Sequence, residues 1–253
     1  MLKEIILLTG QAAQQVALTA LLREHNPQLS FRTAVTASDI EALDPDSLGD
    51  SRLLAFTSGV IVPARILHAL GHGAYNFHPG PPDYPGWAPA HFALYEGAGT
   101  FGATAHVMAE QVDAGPIIGV ESFAIPENIS VRELEQIAFV RLAHLFWKSS
   151  RTLATQAEPI KPLPLQWSGR KSTRQMYRSM CDIPADISKA ELELRMRAFY
   201  DDFRAIYPTI TLHGVPFRVT PAWVSAYAGP VEPDRQRPLQ TASDAPSIAM
   251  ASA

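Results

Sequence analysis

The sequence predicts an α/β fold, a doubly wound and mostly parallel sheet with a small C-terminal helix-hairpin appendage. In the first half of the chain, short apolar or β-branched runs alternate with segments in which Ala and Leu recur at helical spacing. Such alternation is typical of a parallel sheet with helices on both faces. Nearer the C-terminus, a Ser-x-x-Glu helix start and two β-branched runs around His213-Gly214 indicate one helix and one β-hairpin.

The first part of the chain accounts for the sheet and its flanking helices. The predicted strands are Glu4–Thr9, Phe31–Ala37, Arg52–Thr57, Gly73–Phe77, Gly102–Glu110 and Pro116–Ile125. The predicted helices are Gln11–His25, Pro63–Leu70, Ala88–Glu96 and Ser130–Thr155. The last of them begins with a capping box, Ser130 to Glu133, and carries one apolar stripe that we expect to lie in the core.

The composition changes after Glu158, which suggests a domain boundary. Three prolines mark a linker up to Trp167–Arg170, Ser188 opens a helix through Phe199, and Thr209–Val219 forms the hairpin. We therefore expect a main domain at 1–158, a helix-hairpin segment at 159–227 and a disordered tail at 228–253. The segment is too small for its own core, so it should dock on the main domain or pair two subunits as a homodimer through the hairpin.

Composition excludes several classes of protein. The chain has 253 residues, a net charge of −4 and a single cysteine, Cys181, so a disulfide framework and a cysteine-rich zinc site are excluded. The acidic balance makes a nucleic-acid partner improbable on sequence grounds. No signal peptide or membrane span is predicted, which favours a cytoplasmic location without membrane attachment. His72, His78, His91 and His106 lack metal-ligand spacing, so no metal is expected.

An Asn-x-His pair at the end of one predicted strand is the first candidate for chemistry. Asn76 and His78 project to the same side of an extended segment, and ligands of open α/β sheets bind beyond such strand ends. The prolines that follow, at 79, 81, 82 and 85, restrict the loop. An amide beside an imidazole can stabilise an oxyanion, and the imidazole can also move protons. The alternative is a capped strand end with a packed histidine.

A second candidate is Asp113, at the turn between the last two predicted strands, with His106 seven residues before it. Turns favour Asp for backbone reasons alone, and a lone strand histidine is more often packed than catalytic. The informative feature is the conjunction of Asn, His and Asp at places that a doubly wound sheet can bring together.

Three segments resemble the 10-formyltetrahydrofolate-dependent formyltransferases, which act on glycinamide ribonucleotide, methionyl-tRNA or sugar nucleotides. The matching segments are Thr57–Pro63, Asn76–Gly86 and Gly102–Ile118, within a resemblance that covers roughly residues 50–126. The resemblance implies a Rossmann-like catalytic domain. It also implies 10-formyltetrahydrofolate as co-substrate, without a metal.

The same resemblance assigns roles to particular residues. Asn76 and His78 would donate to the oxyanion, Asp113 would orient His78 and help to carry the amine proton, and His106 would support Asp113. The family's pterin slot would be lined by Ser58, Gly59, Val60, Ile61, Val62, Pro63, Val112, Ala114, Gly115 and Ile117. The aromatic residues Tyr84, Trp87 and Tyr95 are candidate contacts for the acceptor.

The acceptor is left open by the sequence. Methionyl-tRNA enzymes usually carry Ser-Leu-Leu-Pro after the histidine, where this chain has Pro-Gly-Pro-Pro, and they are expected to have a longer C-terminal RNA-binding barrel. A short helix-hairpin segment resembles the sugar-nucleotide enzymes, so a nucleotide-linked amino sugar is the first expectation. The basic run Arg170–Arg174 fits either a solvated face or a phosphate contact. Methionyl-tRNA formylation, hydrolysis of 10-formyltetrahydrofolate and a non-catalytic folate-binding module remain as alternatives.

Overall fold

The computed structural model describes residues 1–200 and 204–220. Met1–Val219 form one compact unit. The expected disordered tail, 228–253, lies outside the described residues, and the boundary predicted at residue 158 remains a prediction.

The predicted mostly parallel sheet is confirmed. It has six strands in the order β2-β1-β3-β4-β5-β6. The strands β2, β1, β3 and β4 run parallel to one another, whereas β5 pairs antiparallel with both β4 and β6. The strands are β1 (Glu4–Thr9), β2 (Ser30–Ala34), β3 (Ser51–Phe56), β4 (Ala74–His78), β5 (Thr100–Val107) and β6 (Ile117–Ala124).

Helices cover both faces of the sheet, as predicted. The first five are α1 (Ala12–His25), α2 (Ala37–Glu41), α3 (Ala64–Ala69), α4 (Pro89–Tyr95) and α5 (Val131–Thr155). Leu18 and Leu22 of α1 and Leu142 and Phe146 of α5 share one core with β1, β3, β4 and β5. On the opposite face, α2 and α3 bury Ile40 and Ile66 against β1 and β3. The capping box of α5, Ser130 with Glu133, is also present.

Side-chain alternation along β4 and β5 determines what each face presents. Phe77, Ala103 and Ala105 point into the core beneath α5. Their neighbours Asn76 and His78 on β4, and Thr104 and His106 on β5, therefore lie on the other face. This is the face on which the candidate site is built.

The predicted strand Phe31–Ala37 is too long. It ends at Ala34, and α2 begins three residues later. The Thr36 side chain accepts a hydrogen bond from the Asp39 backbone N–H, while Asp39 Oδ2 accepts from the Thr36 backbone N–H. This reciprocal cap starts a helix in a β-branched stretch whose composition favours a strand.

The C-terminal part contains more structure than the sequence indicated. It includes α6 (Arg174–Cys181), β7 (Asp182–Ile183), α7 (Lys189–Phe199) and the predicted hairpin of β8 (Thr209–Leu212) and β9 (Val215–Arg218). The sequence analysis missed α6 and β7, because α6 has only two buried residues, Tyr177 and Cys181, in a polar surround. Both pack with α4 and α7 in a common cluster, which docks the segment on the main domain.

A fully buried arginine ties α5 to the sheet. The Arg52 guanidinium, on β3, donates to three backbone carbonyls, those of His72, Leu153 and Gln156, at 2.6–2.9 Å. Two of these carbonyls belong to the last turn and the C-cap of α5, where a cation is favourable. Burial lowers the pKa of Arg52, although an arginine stays protonated at neutral pH.

Replacement of this arginine should weaken the fold. Arg52→Met leaves one buried and two partly buried carbonyls without this donor, so we expect the free energy of unfolding to fall by about 3 kcal/mol or more. Arg65→Met is the matched control, because Arg65 is exposed and donates to a single carbonyl, that of Glu41. The control should change stability by no more than about 0.5 kcal/mol. Urea unfolding compares the two, and equal midpoints would contradict a structural role for Arg52.

Candidate active site

Four polar side chains meet on the face of the sheet opposite α5. Asn76 and His78 come from β4, His106 comes from the neighbouring position on β5, and Asp113 comes from the loop between β5 and β6. His78, His106 and Asp113 are almost completely buried, with side-chain exposures of 7%, 3% and 4%. The structure therefore brings together all four residues that the sequence singled out for chemistry.

Asp113 is the centre of this cluster. One carboxylate oxygen, Oδ2, accepts a hydrogen bond from the Gly86 backbone N–H at 2.8 Å and lies 3.4 Å from His78 Nδ1. The other, Oδ1, lies 3.3 Å from His106 Nε2. The backbone of Asp113 has φ of 46°, in the left-handed region that few residues other than Gly, Asn and Asp occupy readily. The surrounding contacts hold it in that conformation.

Electrostatics keep this buried carboxylate ionised. Burial by itself raises the pKa of Asp113, but the hydrogen bond with His106, the charge of the flanking imidazoles and the Gly86 N–H together lower it to about 2. For His78, burial is the main cause and lowers the pKa, while the nearby Asp113 charge acts in the opposite direction. At neutral pH the pair thus consists of the Asp113 carboxylate and a His78 imidazole whose protonated form is disfavoured by burial.

His106 orients the amide of Asn76. His106 Nδ1 donates to the Val107 carbonyl at 2.9 Å, which leaves Nε2 to face Asn76 Nδ2 at 3.0 Å. A neutral His106 accepts one of the two amide hydrogens, so the second N–H of Asn76 remains available to a bound molecule. When His106 is protonated, Nε2 donates to Asp113 instead.

The proline-containing loop after β4 is packed tightly around His78. His78 Nε2 lies 3.3 Å from the Tyr84 carbonyl, and Thr104 Oγ1 donates to the Gly80 carbonyl at 2.7 Å. A side chain on Gly80 would come within 2.6 Å of His78 Nε2, so the close approach requires glycine. Gly86 has φ of 100° and supplies the N–H that binds Asp113.

A segment of the linker, residues 163–172 and here called the strap, crosses the site. Its backbone N–H groups at Leu163, Ser168 and Ser172 donate to the carbonyls of Ile117, Pro82 and Pro85 at 2.7–3.0 Å. The strap thereby joins the start of β6 to the loop after β4. The prolines of the linker suggested an irregular connection but gave no sign of its place over the site.

Trp167 of the strap is the residue near the site that sequence reasoning missed. Its ring centroid lies 5.0 Å from that of His106 and 5.9 Å from that of His78, in edge-to-face geometry with both. The indole Nε1–H donates to the Gly115 carbonyl at 2.9 Å. The only sign of Trp167 in the sequence is a tryptophan that follows a run of prolines, and this pattern predicts the end of a linker but not a place over the site.

A cavity of about 400 Å³ opens beside Asp113. One wall consists of residues 113–116 with Gln111, and the other consists of strap residues together with Pro85. Lys171 is the cationic side chain that lines it. Of the four site side chains, the Asp113 carboxylate lines this space, which is large enough for a small molecule, while Asn76, His78 and His106 belong to the cluster around that carboxylate.

The residues expected to form a pterin slot differ in their surroundings. Ala114 and Gly115 line the cavity. Ile61 and Val112 expose 69% and 43% of their surface, as apolar residues that await a ligand would, whereas Val62 and Ile117 are buried in the core. The others, Ser58, Gly59, Val60 and Pro63, form the connection between β3 and α3, where Ser58 Oγ accepts a hydrogen bond from the Val60 N–H.

The three aromatic residues suggested as acceptor contacts do not line this cavity. Tyr84, Trp87 and Tyr95 pack at the edge of the cluster that α4 forms with α6 and α7. Tyr84 donates to Glu96, Tyr95 donates to Glu191, and the Trp87 ring packs edge-on against Tyr177. Trp87 and Tyr95 thus contact α6 and α7, whereas Tyr84 bonds to the residue that ends α4.

Residues 1–200 and 204–220 contain neither a metal-site cluster nor a membrane-spanning helix. Within that part of the chain, no group of three or more His, Cys, Asp or Glu residues has the arrangement of a metal site. In the same residues, no helix combines the length and the apolar character that crossing a membrane requires.

Curated relatives match part of the chain. A methionyl-tRNA formyltransferase of Listeria welshimeri is 32% identical over 122 residues, which are 48% of this chain and 37% of that protein. One from Syntrophomonas wolfei is 38% identical over 86 residues, or 34% of this chain and 27% of the relative. The aligned residues thus make up 37% or less of the length of these relatives.

Solved structures share the fold over most of their length. A sugar N-formyltransferase from a Shewanella species aligns with a TM-score of 0.70 at 14% identity, over 87% of this chain and 97% of the other. A 4-N formyltransferase from Francisella tularensis aligns with a TM-score of 0.69 at 19% identity, over 86% and 96%. The formyl transferase family model matches residues 7–142, more than half of the chain and all four site residues. The protein belongs to the formyl transferase family.

Proposed function

We propose that the protein transfers the formyl group of 10-formyltetrahydrofolate to an amine of a small acceptor, and that the acceptor is an amino sugar on a nucleotide carrier. The observation that carries the proposal is the convergence of Asn76, His78 and Asp113 beside a cavity. An amide donor, an imidazole and an ionised carboxylate are the groups that formyl transfer to an amine requires.

The proposed mechanism follows from these groups. The acceptor amine attacks the formyl carbon, and the carbonyl oxygen becomes an oxyanion as the carbon turns tetrahedral. The free N–H of Asn76 donates to that oxygen, which lowers the barrier because this donor is already in place. The His78 imidazole donates to the same oxygen once its Nε2–H turns from the Tyr84 carbonyl, 3.3 Å away, to the bound molecule. Asp113, whose pKa of about 2 keeps it a carboxylate at neutral pH, stabilises the positive charge that develops on the attacking amine and accepts its proton, which His78 then relays. Collapse of the intermediate expels the folate N10, which receives a proton by way of His78.

The choice of an amino-sugar acceptor is supported by the fold neighbours. The Shewanella and Francisella structures resemble this chain over nearly their whole length. A Helicobacter canadensis N-formyltransferase of the same fold was solved with folinic acid and dTDP-3-aminofucose, at a TM-score of 0.60 and 16% identity. A cavity of about 400 Å³ with one lysine fits part of such an anionic molecule.

Methionyl-tRNA is a second candidate acceptor. The sequence relatives that match part of the chain are methionyl-tRNA formyltransferases, so the sequence comparison favours this substrate while the fold comparison favours the amino sugar. The net charge of −4 weighs against a long contact with a polyanion.

A direct acceptor screen tests the proposal. The protein is incubated with 10-formyltetrahydrofolate and, in parallel, with dTDP-linked amino sugars, with methionyl initiator tRNA or with no acceptor. We expect an amino sugar to gain the mass of one formyl group at a rate well above formate release without acceptor. Formate release that is equally fast in every arm would instead identify a hydrolase.

The tRNA alternative has its own signature. Contact with six or more phosphates makes the affinity fall by about 10³-fold or more between 50 and 200 mM salt. We expect binding of methionyl initiator tRNA to be weak and to lack this steep dependence, as measured by filter binding across that range. Tight, salt-sensitive binding together with formylation of the tRNA would overturn the amino-sugar assignment.

The carboxylate can be tested with an isosteric change. Asp113→Asn keeps the shape but removes the charge that accepts the amine proton, so we expect kcat to fall by about 10²-fold or more. Asp83→Asn is the matched control, because Asp83 is exposed in the same proline-containing loop. It should leave kcat within about twofold.

Asn76→Ala completes the set by removing one oxyanion donor, which is expected to cost about 10²–10³-fold in kcat. Steady-state kinetics with the acceptor found in the screen measure each variant. Full activity of both Asp113→Asn and Asn76→Ala would refute the assignment.

A further inference from the structure

Many hydrogen bonds fix the strap to the loop after β4. Besides its three backbone N–H donors, Ser172 Oγ donates to the carbonyls of Pro85 and Trp87 at 3.1 and 2.7 Å. Ser168 Oγ donates to the Asp83 carbonyl at 2.9 Å, and the Trp87 N–H donates to the Ser172 carbonyl at 3.0 Å. These last four bonds join the strap to the loop that follows His78.

Trp167 lies at the centre of this segment and contacts both sides of the site. Its indole N–H is bonded to Gly115, two residues after Asp113, while its ring faces the imidazoles of β4 and β5 at 5.9 and 5.0 Å. One side chain therefore links the Asp113 loop, His78 and His106. Trp167 also lines the cavity, as Asp113 does.

The burial of the cluster depends on such a cover. His78 and His106 lie on the face of the sheet opposite α5, so the long helix that closes the other face does not shield them. Yet His78 and Asp113 expose only 7% and 4% of their side chains. An indole in edge-to-face contact with both imidazoles supplies part of the missing cover.

We propose that Trp167 is a positioning residue of the formyl transfer site: its indole holds the two imidazoles and the Asp113 loop in their catalytic arrangement and keeps water away from them. A tryptophan that acts in this way favours attack by an amine over attack by water. The kinetic part of this inference rests on the proposed function, whereas the effect on the histidines does not.

The first experiment needs no substrate. In histidine-labelled protein, NMR follows the titration of His78, assigned by the loss of its signal in His78→Gln. Burial is the main cause that lowers the pKa of His78, and the groups that face the ring are Asp113 and His106. Trp167→Ala admits water and so should raise this pKa, whereas Trp167→Phe keeps a ring in place and should leave it close to that of the wild type.

A matched control is available in Trp147. This tryptophan also stacks on a histidine, His144, at 5.8 Å, but it lies on α5 and is 59% exposed. Trp147→Ala should leave the titration of His78 unchanged. A His78 titration that is the same in Trp167→Ala, Trp147→Ala and the wild type would overturn the inference.

The second experiment measures how the formyl group is partitioned. With the acceptor from the screen, Trp167→Ala should lower kcat by about 10–100-fold, because small misplacements of catalytic groups are costly, while Trp167→Phe stays within about fivefold. The ratio of formate release, measured with 10-formyltetrahydrofolate alone, to formyl transfer, measured with the acceptor, should be higher for Trp167→Ala than for the wild type. Unchanged kcat and unchanged partition in a folded Trp167→Ala variant would refute the positioning role.

The two experiments fail in distinguishable ways. A wild-type protein that formylates no acceptor would refute the proposed function, and the NMR titration would still decide whether Trp167 shields His78. Should Trp167→Ala fail to fold, Trp167→Leu takes its place, because leucine fills space without a ring. A His78 pKa in Trp167→Leu equal to that of the wild type would then count against the need for an aromatic ring.

Discussion

The Asp113 carboxylate is the interaction on which the rest of the site depends. A buried negative charge is tolerated only where polar partners offset its desolvation, and Asp113 accepts the Gly86 N–H and lies within 3.4 Å of the imidazoles of His78 and His106. These partners come from the loop after β4, from β4 itself and from β5. The need to satisfy one charge thus holds three separate parts of the chain in a fixed relation, and it explains why Asp113 adopts a left-handed backbone conformation.

The two faces of the sheet have different roles: one packs the apolar core and the other holds the polar site. The long helix α5 closes one face with an apolar core and is anchored through Arg52. The other face is left free over β4 and β5, which allows polar side chains to gather there and lets a cavity form beside them. The strap covers this polar cluster only in part.

The location of the strap bears on how the family varies. The family model matches residues 7–142, which include Asn76, His78, His106 and Asp113. The strap, residues 163–172, lies beyond that range, and it forms one wall of the cavity. The groups proposed for formyl transfer are thus encoded in the shared region, while a wall facing the proposed acceptor is encoded outside it.

The sequence by itself predicted the α/β architecture and the N-terminal capping box of α5, because periodicity and capping residues are local properties. It singled out Asn76, His78, His106 and Asp113 through their spacing together with a family resemblance. It did not reveal α6, whose buried face consists of two residues, or the short α2, whose cap lies in a β-branched run. Tertiary structure alone decided the place of Trp167, since its partners are up to 89 positions away in the chain. Contacts of that range follow from how the linker folds back over the sheet, for which proline and tryptophan spacing carry no information.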